Sequence, residues 1–209
     1  NFQKMGAFKF RGACNAVFGA EPEALRGGVV THSSGNHGQA LALAARMRGV
    51  PAHVVMPDNA ARVKVEAVRV YGATVHFCAS TQAAREATTA RIMAETGAVL
   101  VHPYDDVRIM AGQGTAALEL IDEVVDLDLL LAPVGGGGLI SGTALAAHGR
   151  NPRLRVIGAE PQGADDAWRS LASGVITPVA APDTVADGLR ATLGPRAFAV
   201  MREHLERIV

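Results

Sequence analysis

Residues 28–40 run Gly28-Val29-Val30-Thr31-His32-Ser33-Ser34-Gly35-Asn36-His37-Gly38-Gln39-Ala40. A short β-branched run enters a turn of small and polar residues. An apolar stripe at Ala40, Leu43, Ala44 and Met47 follows, and Gly49 ends it. The first part predicts a strand and the last a helix, because the apolar spacing changes from continuous to three and four. The same unit recurs along the chain. Ala52-His53-Val54-Val55-Met56 predicts a strand closed by Pro57, followed by a helix with Val63, Ala67 and Val70 on one face and a stop at Gly72. Ala73 to Cys78 predicts the next strand. A helix with the stripe Ala83, Ala87, Ala90 and Ala94 stops at Gly97, before the strand Val99-Leu100-Val101.

A second block opens near Asp106. A helix carrying Ala117, Leu120, Ile121 and Val124 leads to the strand Leu129 to Val134, and four glycines, Gly135 to Gly138, introduce a helix from Leu139 to His148. Arg155 to Ala159 predicts a strand ending at Glu160. A stretch with Pro178, Pro182 and Pro195 reads as irregular, and a last helix is expected from Phe198 to Arg207. Strands alternating with helices predict an α/β fold: open, mostly parallel sheets with helices on both faces.

Composition narrows the function classes. The 209 residues are 49% apolar and 19% charged with zero formal net charge, which offers no electrostatic attraction to nucleic acid or an anionic membrane. No uninterrupted apolar run reaches the ~18 residues of a membrane span. Cys14 and Cys78 lie far apart without a C-x-x-C spacing, so neither a disulfide framework nor a structural zinc site is expected, and a cytoplasmic setting is. The chain lacks an initiator Met, opens inside a motif and stops at Ile208-Val209; truncation at both ends is the expectation.

Three segments carry chemistry. Consecutive glycines cost backbone entropy, and one or two suffice for a tight turn. Gly135 to Gly138 therefore read as an anion cradle of backbone N–H groups at a helix start. A nucleotide P-loop would end in Gly-Lys-Ser/Thr, whereas Leu139-Ile140-Ser141 follows here; a dinucleotide fingerprint fits only loosely. The Ser33–Gly38 turn offers a second anion site for a carboxylate, with Asn36 supplying an amide; the plain alternative is a helix capped by Ser34 or Asn36. Lysine occurs only at positions 4, 9 and 64, and Lys9 lies between Phe8 and Phe10. An apolar setting depresses a lysine's pKa and makes its amine a nucleophile. Taken alone, Lys9 reads at least as readily as a lysine snorkelling from a helix start.

Together these segments resemble the fold-type-II (tryptophan synthase β-like) pyridoxal-phosphate enzymes. The resemblance is to the group of serine racemases and serine/threonine dehydratases, with threo-3-hydroxyaspartate ammonia-lyases among them. The matching stretches are Gly6–Ala13, His32–Ala40, Ala111–Thr115, Pro133–Gly142, Gly158–Asp166 and Ala186–Leu189, in the same order along the whole chain. The resemblance implies that Lys9 binds pyridoxal 5′-phosphate as an imine and later takes the substrate α-proton, with Phe8 beside the cofactor. Asn36 would bond the pyridine O3′, and Gly135, Gly136, Gly137, Gly138 and Leu139 would cradle the phosphate. Ser33, Ser34, Asn36 and His37 would hold the substrate carboxylate, with Ser34 facing Lys9 as a second acid/base. Arg85 and Tyr71 would lie on the small-domain side of the substrate cleft.

The resemblance further implies that Glu160, Ala164 (through its carbonyl) and Asp166 form that group's divalent-cation site for Mg²⁺ or Ca²⁺, the plain alternative being a solvated acidic turn after a strand. The resemblance also implies a domain plan, with residues 28–105 as a small domain inserted into a larger cofactor domain, 1–27 plus 106–209, and the cofactor in the cleft. A homodimer is implied for the full-length protein. Met5, Tyr104 and Ala191 depart from racemase positions tied to nucleotide activation. The implied reaction is β-elimination of water from L-serine, L-threonine or threo-3-hydroxy-L-aspartate, giving a 2-oxo acid and ammonia. The rivals are serine racemization by Lys9 and Ser34, a non-catalytic ligand-binding fragment, and a nicotinamide-dependent oxidoreductase.

Overall fold

Short β-branched runs and helices alternate through residues 2–209, the part of the chain described by the computed structural model. Contacts divide it into two units, Asn1–Pro103 and Tyr104–Val209. The first holds helix α1 (Lys9–Phe18), strand β1 (Val29–His32), α2 (Asn36–Arg48), β2 (Ala52–Pro57), α3 (Arg62–Val70), β3 (Thr74–Cys78), α4 (Gln82–Thr96) and β4 (Val99–Leu100). Its sheet has the order β3-β2-β1-β4, and every pairing is parallel. Gly49 closes α2 in the left-handed region at φ 75°, a conformation that glycine adopts without a Cβ penalty. At its other end α4 is capped by the Thr81 hydroxyl, which accepts the Ala84 N–H at 3.2 Å.

The helix faces differ from the alanine stripes. In α4 the alanines at 83, 87, 90 and 94 are exposed, while Thr89 and Ile92 are buried. Ile92 packs with Val30, Val55 and Ala98. An alanine gains little area by burial, so the long aliphatic side chain decides which face meets the sheet. In α3 the buried pair is Val65 and Val68, with Val63 and Val70 left exposed, and in α2 Met47 is exposed. Helix α1, in the stretch that the sequence reading groups with 106–209, packs against α2.

The second unit holds α5 (Val107–Glu123), β5 (Leu129–Pro133), α6 (Gly138–Arg150), β6 (Arg155–Ala159), α7 (Asp166–Ser173), α8 (Pro195–His204) and β7 (Arg207–Ile208). Its parallel sheet has the order β5-β6-β7. Met110, Val134, Ile140, Ala144, Val156 and Met201 belong to its core. The Ala111–Thr115 motif has a packing role: a Cβ on Gly114 would lie 2.6 Å from the Gly142 carbonyl oxygen, so α5 and α6 touch backbone to backbone. Two elements depart from the sequence reading. The stretch expected to be irregular contains α7. The last helix ends at His204, and Arg207 and Ile208 turn extended to pair with Ile157 and Gly158. Among the described residues no helix is long and apolar enough to cross a membrane.

The α4 packing predicts a contrast measurable by urea denaturation. Ile92→Ala is expected to cost roughly 2–5 kcal/mol. Ala94→Ser, on the exposed face, is expected to stay within about 0.5 kcal/mol of the parent.

Candidate active site

Lys9 is the first residue of α1, directly after Phe8, whose backbone is already helical at φ −60°. The side chain is half-buried and its amine donates to the Pro103 carbonyl at 2.8 Å, 5.4 Å from the centroid of the Phe8 ring. Desolvation lowers its pKa from 10.5 to about 8. A snorkelling lysine would keep its charge in water; this one does not.

The turn after β1 sets a second base close by. Gly35 precedes α2, and no side chain caps the helix. Ser33 Oγ instead accepts the Gly35 N–H at 3.3 Å. Capping by Ser34 or Asn36 is thus not what the turn does, and the first amides of α2 remain without an intrahelical partner. Ser34 is half-buried and Asn36 exposed. His37 is buried, with Nε2 3.1 Å from the Val101 carbonyl. A carbonyl only accepts, so the proton sits on Nε2. His37 Nδ1 is buried with no hydrogen-bond partner. Burial first, then the Lys9 charge, push the His37 pKa down to about 3, so the ring is neutral. Its imidazole therefore faces inward, and what His37 offers a carboxylate is its backbone N–H.

Arg85, in the first turn of α4, keeps a buried Nε without a partner. Its charge acts on His32, at the end of β1, which burial shifts downward and the Glu86 carboxylate, acting more strongly than Arg85, opposes. Arg85 thus reaches the strand end that the Ser33 turn follows. Tyr71 is the half-buried C-cap of α3. Sequence reasoning does not single out Val101 and Pro103, the acceptors of His37 and Lys9. Their contribution is a backbone carbonyl, which no side-chain pattern announces.

In the second unit the glycines follow β5. Gly137 is the N-cap of α6, at φ +91°, and no side chain caps the helix. A Cβ on Gly137 would lie 2.5 Å from Ala197 Cβ, one on Gly138 2.9 Å from the Tyr104 carbonyl oxygen, and one on Gly135 3.0 Å from the Gly188 carbonyl oxygen. On Gly136 it would run into the Tyr104 ring. Protein packing alone therefore demands glycine at 136, 137 and 138 and leaves a tight fit at 135. The anion-site reading rests on the uncapped amides of α6, not on the glycine count. Leu139, in the first turn of α6, is half-buried.

Glu160 leaves β6 and caps α7: its two oxygens accept the Ala167 and Trp168 N–H groups at 3.0 and 2.8 Å. Desolvation raises its pKa to about 7, against those amide bonds and with added repulsion from Asp166 and Asp165. Asp166, also raised by burial, accepts the Leu193 N–H at 2.8 Å. Ala164 is buried in a single 3₁₀ turn. No group of three or more His, Cys, Asp or Glu side chains suited to a metal occurs among the described residues. The expected set has two carboxylates and one carbonyl.

The Lys9 shift carries a pH signature. Below pH 8 the fold carries a desolvated ammonium. Between 8 and 10.5 the unfolded chain binds more protons than the fold, so stability gains with rising pH. Lys9→Met in cofactor-free protein is expected to raise Tm at pH 7, with the gain shrinking towards pH 10.5. For His37, stability is present above pH 6.5 and falls as pH drops from 6.5 towards 3; His37→Asn is expected to flatten that slope.

The chain matches the family described as pyridoxal-phosphate dependent enzymes over residues 1–209. It is 50% identical over 212 residues to a serine racemase of Dictyostelium discoideum, covering 100% of this chain and 65% of that protein. It is also 50% identical over 208 residues to a beta-hydroxyaspartate dehydratase of Paracoccus denitrificans, covering 100% of this chain and 66% of that one. A solved maize serine racemase superposes with a TM-score of 0.96 at 48% identity, over 99% of this chain and 63% of that one. A solved threonine deaminase from Solanum lycopersicum gives 0.93 at 34%, over 99% and 57%. The chain spans about two thirds or less of the length of these relatives, and its parallel α/β units have the fold of fold-type-II members. With that agreement along its whole length, the chain belongs to the pyridoxal-phosphate dependent enzyme family.

Proposed function

We propose that this chain forms the cofactor- and substrate-binding part of an ammonia-lyase that eliminates water from L-serine, L-threonine or threo-3-hydroxy-L-aspartate, leaving a 2-oxo acid and ammonia. The observation that carries the reading is the desolvated amine of Lys9, held at a depressed pKa beside a histidine kept neutral. When bound, pyridoxal phosphate supplies the electron sink for negative charge at the substrate Cα.

The residues divide the remaining work. Lys9 would hold the cofactor through its amine, and that amine would also take the α-proton; a pKa near 8 keeps part of it unprotonated at neutral pH. Phe8 shields that amine from water. The uncapped start of α2, with Ser33, Ser34 and the His37 N–H, takes the substrate carboxylate, and Arg85 adds a positive charge at the same strand end. Asn36 offers its amide to the pyridine O3′. Gly135 to Gly138 and Leu139 take the phosphate on the open amides of α6. The domain plan of 28–105 within 1–27 plus 106–209, a full-length homodimer and a cytoplasmic setting belong to the same proposal. Cys14 and Cys78, both outside any disulfide, suit the last.

A divalent cation is part of it too. Glu160 and Asp166 are desolvated and repel each other, a situation that Mg²⁺ or Ca²⁺ held with the Ala164 carbonyl would relieve. Racemization is the second reading, favoured by Ser34 in the same turn and by relatives named serine racemase. A binding part without turnover is the third.

The full-length protein incubated with L-serine decides among them. Elimination predicts 2-oxo acid in excess over D-serine, racemization the reverse, and a binding part neither product. Lys9→Ala is expected to abolish both products and the cofactor's visible absorbance band; a band that survives overturns the assignment. Ser34→Ala is expected to lower D-serine more than 2-oxo acid. Adding Mg²⁺ is expected to raise Tm more at pH 8 than at pH 6, where protons compete for Glu160, and Glu160→Gln is expected to remove that difference.

A further inference from the structure

The glycine loop does not hold its shape alone. Above Gly137 the space is filled by Ala197 and Leu193, from α8 and the turn before it. Gly194 N–H donates to the Gly136 carbonyl at 3.2 Å, and Ser141 Oγ donates to the Ala197 carbonyl at 3.4 Å. Residues 193–197 thus form a strap bonded to the loop at Gly136 and to α6 at Ser141.

Two side chains hold that strap: Asp166 accepts the Leu193 N–H at its start, and Asp105 fixes the end that enters α8. Asp105 is buried, and its Oδ1 accepts the Arg196 N–H at 2.9 Å and the Ala197 N–H at 3.1 Å. These are the first amides of α8, so Asp105 caps a helix from a distant part of the chain. Gly194 makes the approach feasible, since a Cβ there would stand 2.5 Å from Asp105 Oδ1. The Arg196 guanidinium, 3.4 Å from Oδ2, is mostly exposed and adds little. Tyr104, the preceding residue, lies against Gly136 and Gly138. Two consecutive residues therefore hold the loop from both sides, one by its ring and one through α8.

We propose that Asp105 is a positioning residue for the phosphate-binding amides of α6: by capping α8 it fixes Ala197 against Gly137 and so sets the direction of the loop's N–H groups. This rests on the reading of that loop as the phosphate site. Asp105 touches no reacting atom, so its loss acts on phosphate recognition and leaves the chemistry of the Lys9 amine in place.

The test uses the full-length protein stripped of cofactor and titrated with two probes, pyridoxal 5′-phosphate and pyridoxal, which differ only in the phosphate. In Asp105→Ala the affinity for pyridoxal phosphate is expected to fall roughly tenfold, the size of effect set by losing an N-cap. Affinity for pyridoxal is expected to stay within about twofold of the parent, a change well under one N-cap. Asp105→Asn keeps an acceptor oxygen and is expected to restore most of the difference; it also serves if Asp105→Ala does not fold. A merely structural role would lower Tm while leaving the ratio of the two affinities at the parent's value, and that result overturns the proposal. Equal weakening of both probes overturns it as well. A parent protein that prefers neither probe removes the phosphate-site reading itself, and this inference with it.

Discussion

Every strand pairing in the two sheets is parallel, and a parallel pair obliges the chain to return through a crossover before the next strand begins. Strand exits in each sheet consequently gather along one edge, where open α/β sheets bind ligands. In the first unit β1 ends at the Ser33 turn, and β4 ends beside Val101 and Pro103, the acceptors of His37 and Lys9. In the second, β5 ends at the glycines and β6 at Glu160. Strand direction, set by ordinary β-branched runs, is what brings the polar residues of each unit together.

Electrostatics then acts on that geometry: among the described residues no counter-ion meets the Lys9 amine. Lys9 meets a carbonyl and a ring face, partners that satisfy a hydrogen bond and leave the ammonium poorly solvated. A cationic His37 would worsen this, and burial prevents it. The Lys9 charge adds to burial in holding His37 neutral. Glu160 shows the mirror situation in the second unit: burial and neighbouring acids oppose its charge while two amides favour it.

Much of this is legible in the sequence. Strand–glycine–helix punctuation marks β1, β2, β5 and β6, because β-branched runs and C-cap glycines act locally. The motif residues are legible as well, through their order along the chain. Alanine-rich helices are not: with Ala at so many positions of α4, apolar spacing carries no contrast, and the Ile92 face emerges only against the sheet. The glycine loop reads rightly as special, but by an incomplete argument, since the crowding from Tyr104, Ala197 and Gly188 lies far away in sequence. Arg207 looks helical by continuity and instead, with Ile208, pairs with the open edge of β6.

The contact at Gly114 and Gly142 has a mechanical consequence. With no side chain between them, α5 and α6 have no soft layer that could absorb a small displacement. The pair behaves as one stiff beam, and the glycine loop hangs from its end. Amides within α6 turn only with both helices, which leaves the loop ahead of Gly138 to be set by Tyr104 and by the start of α8.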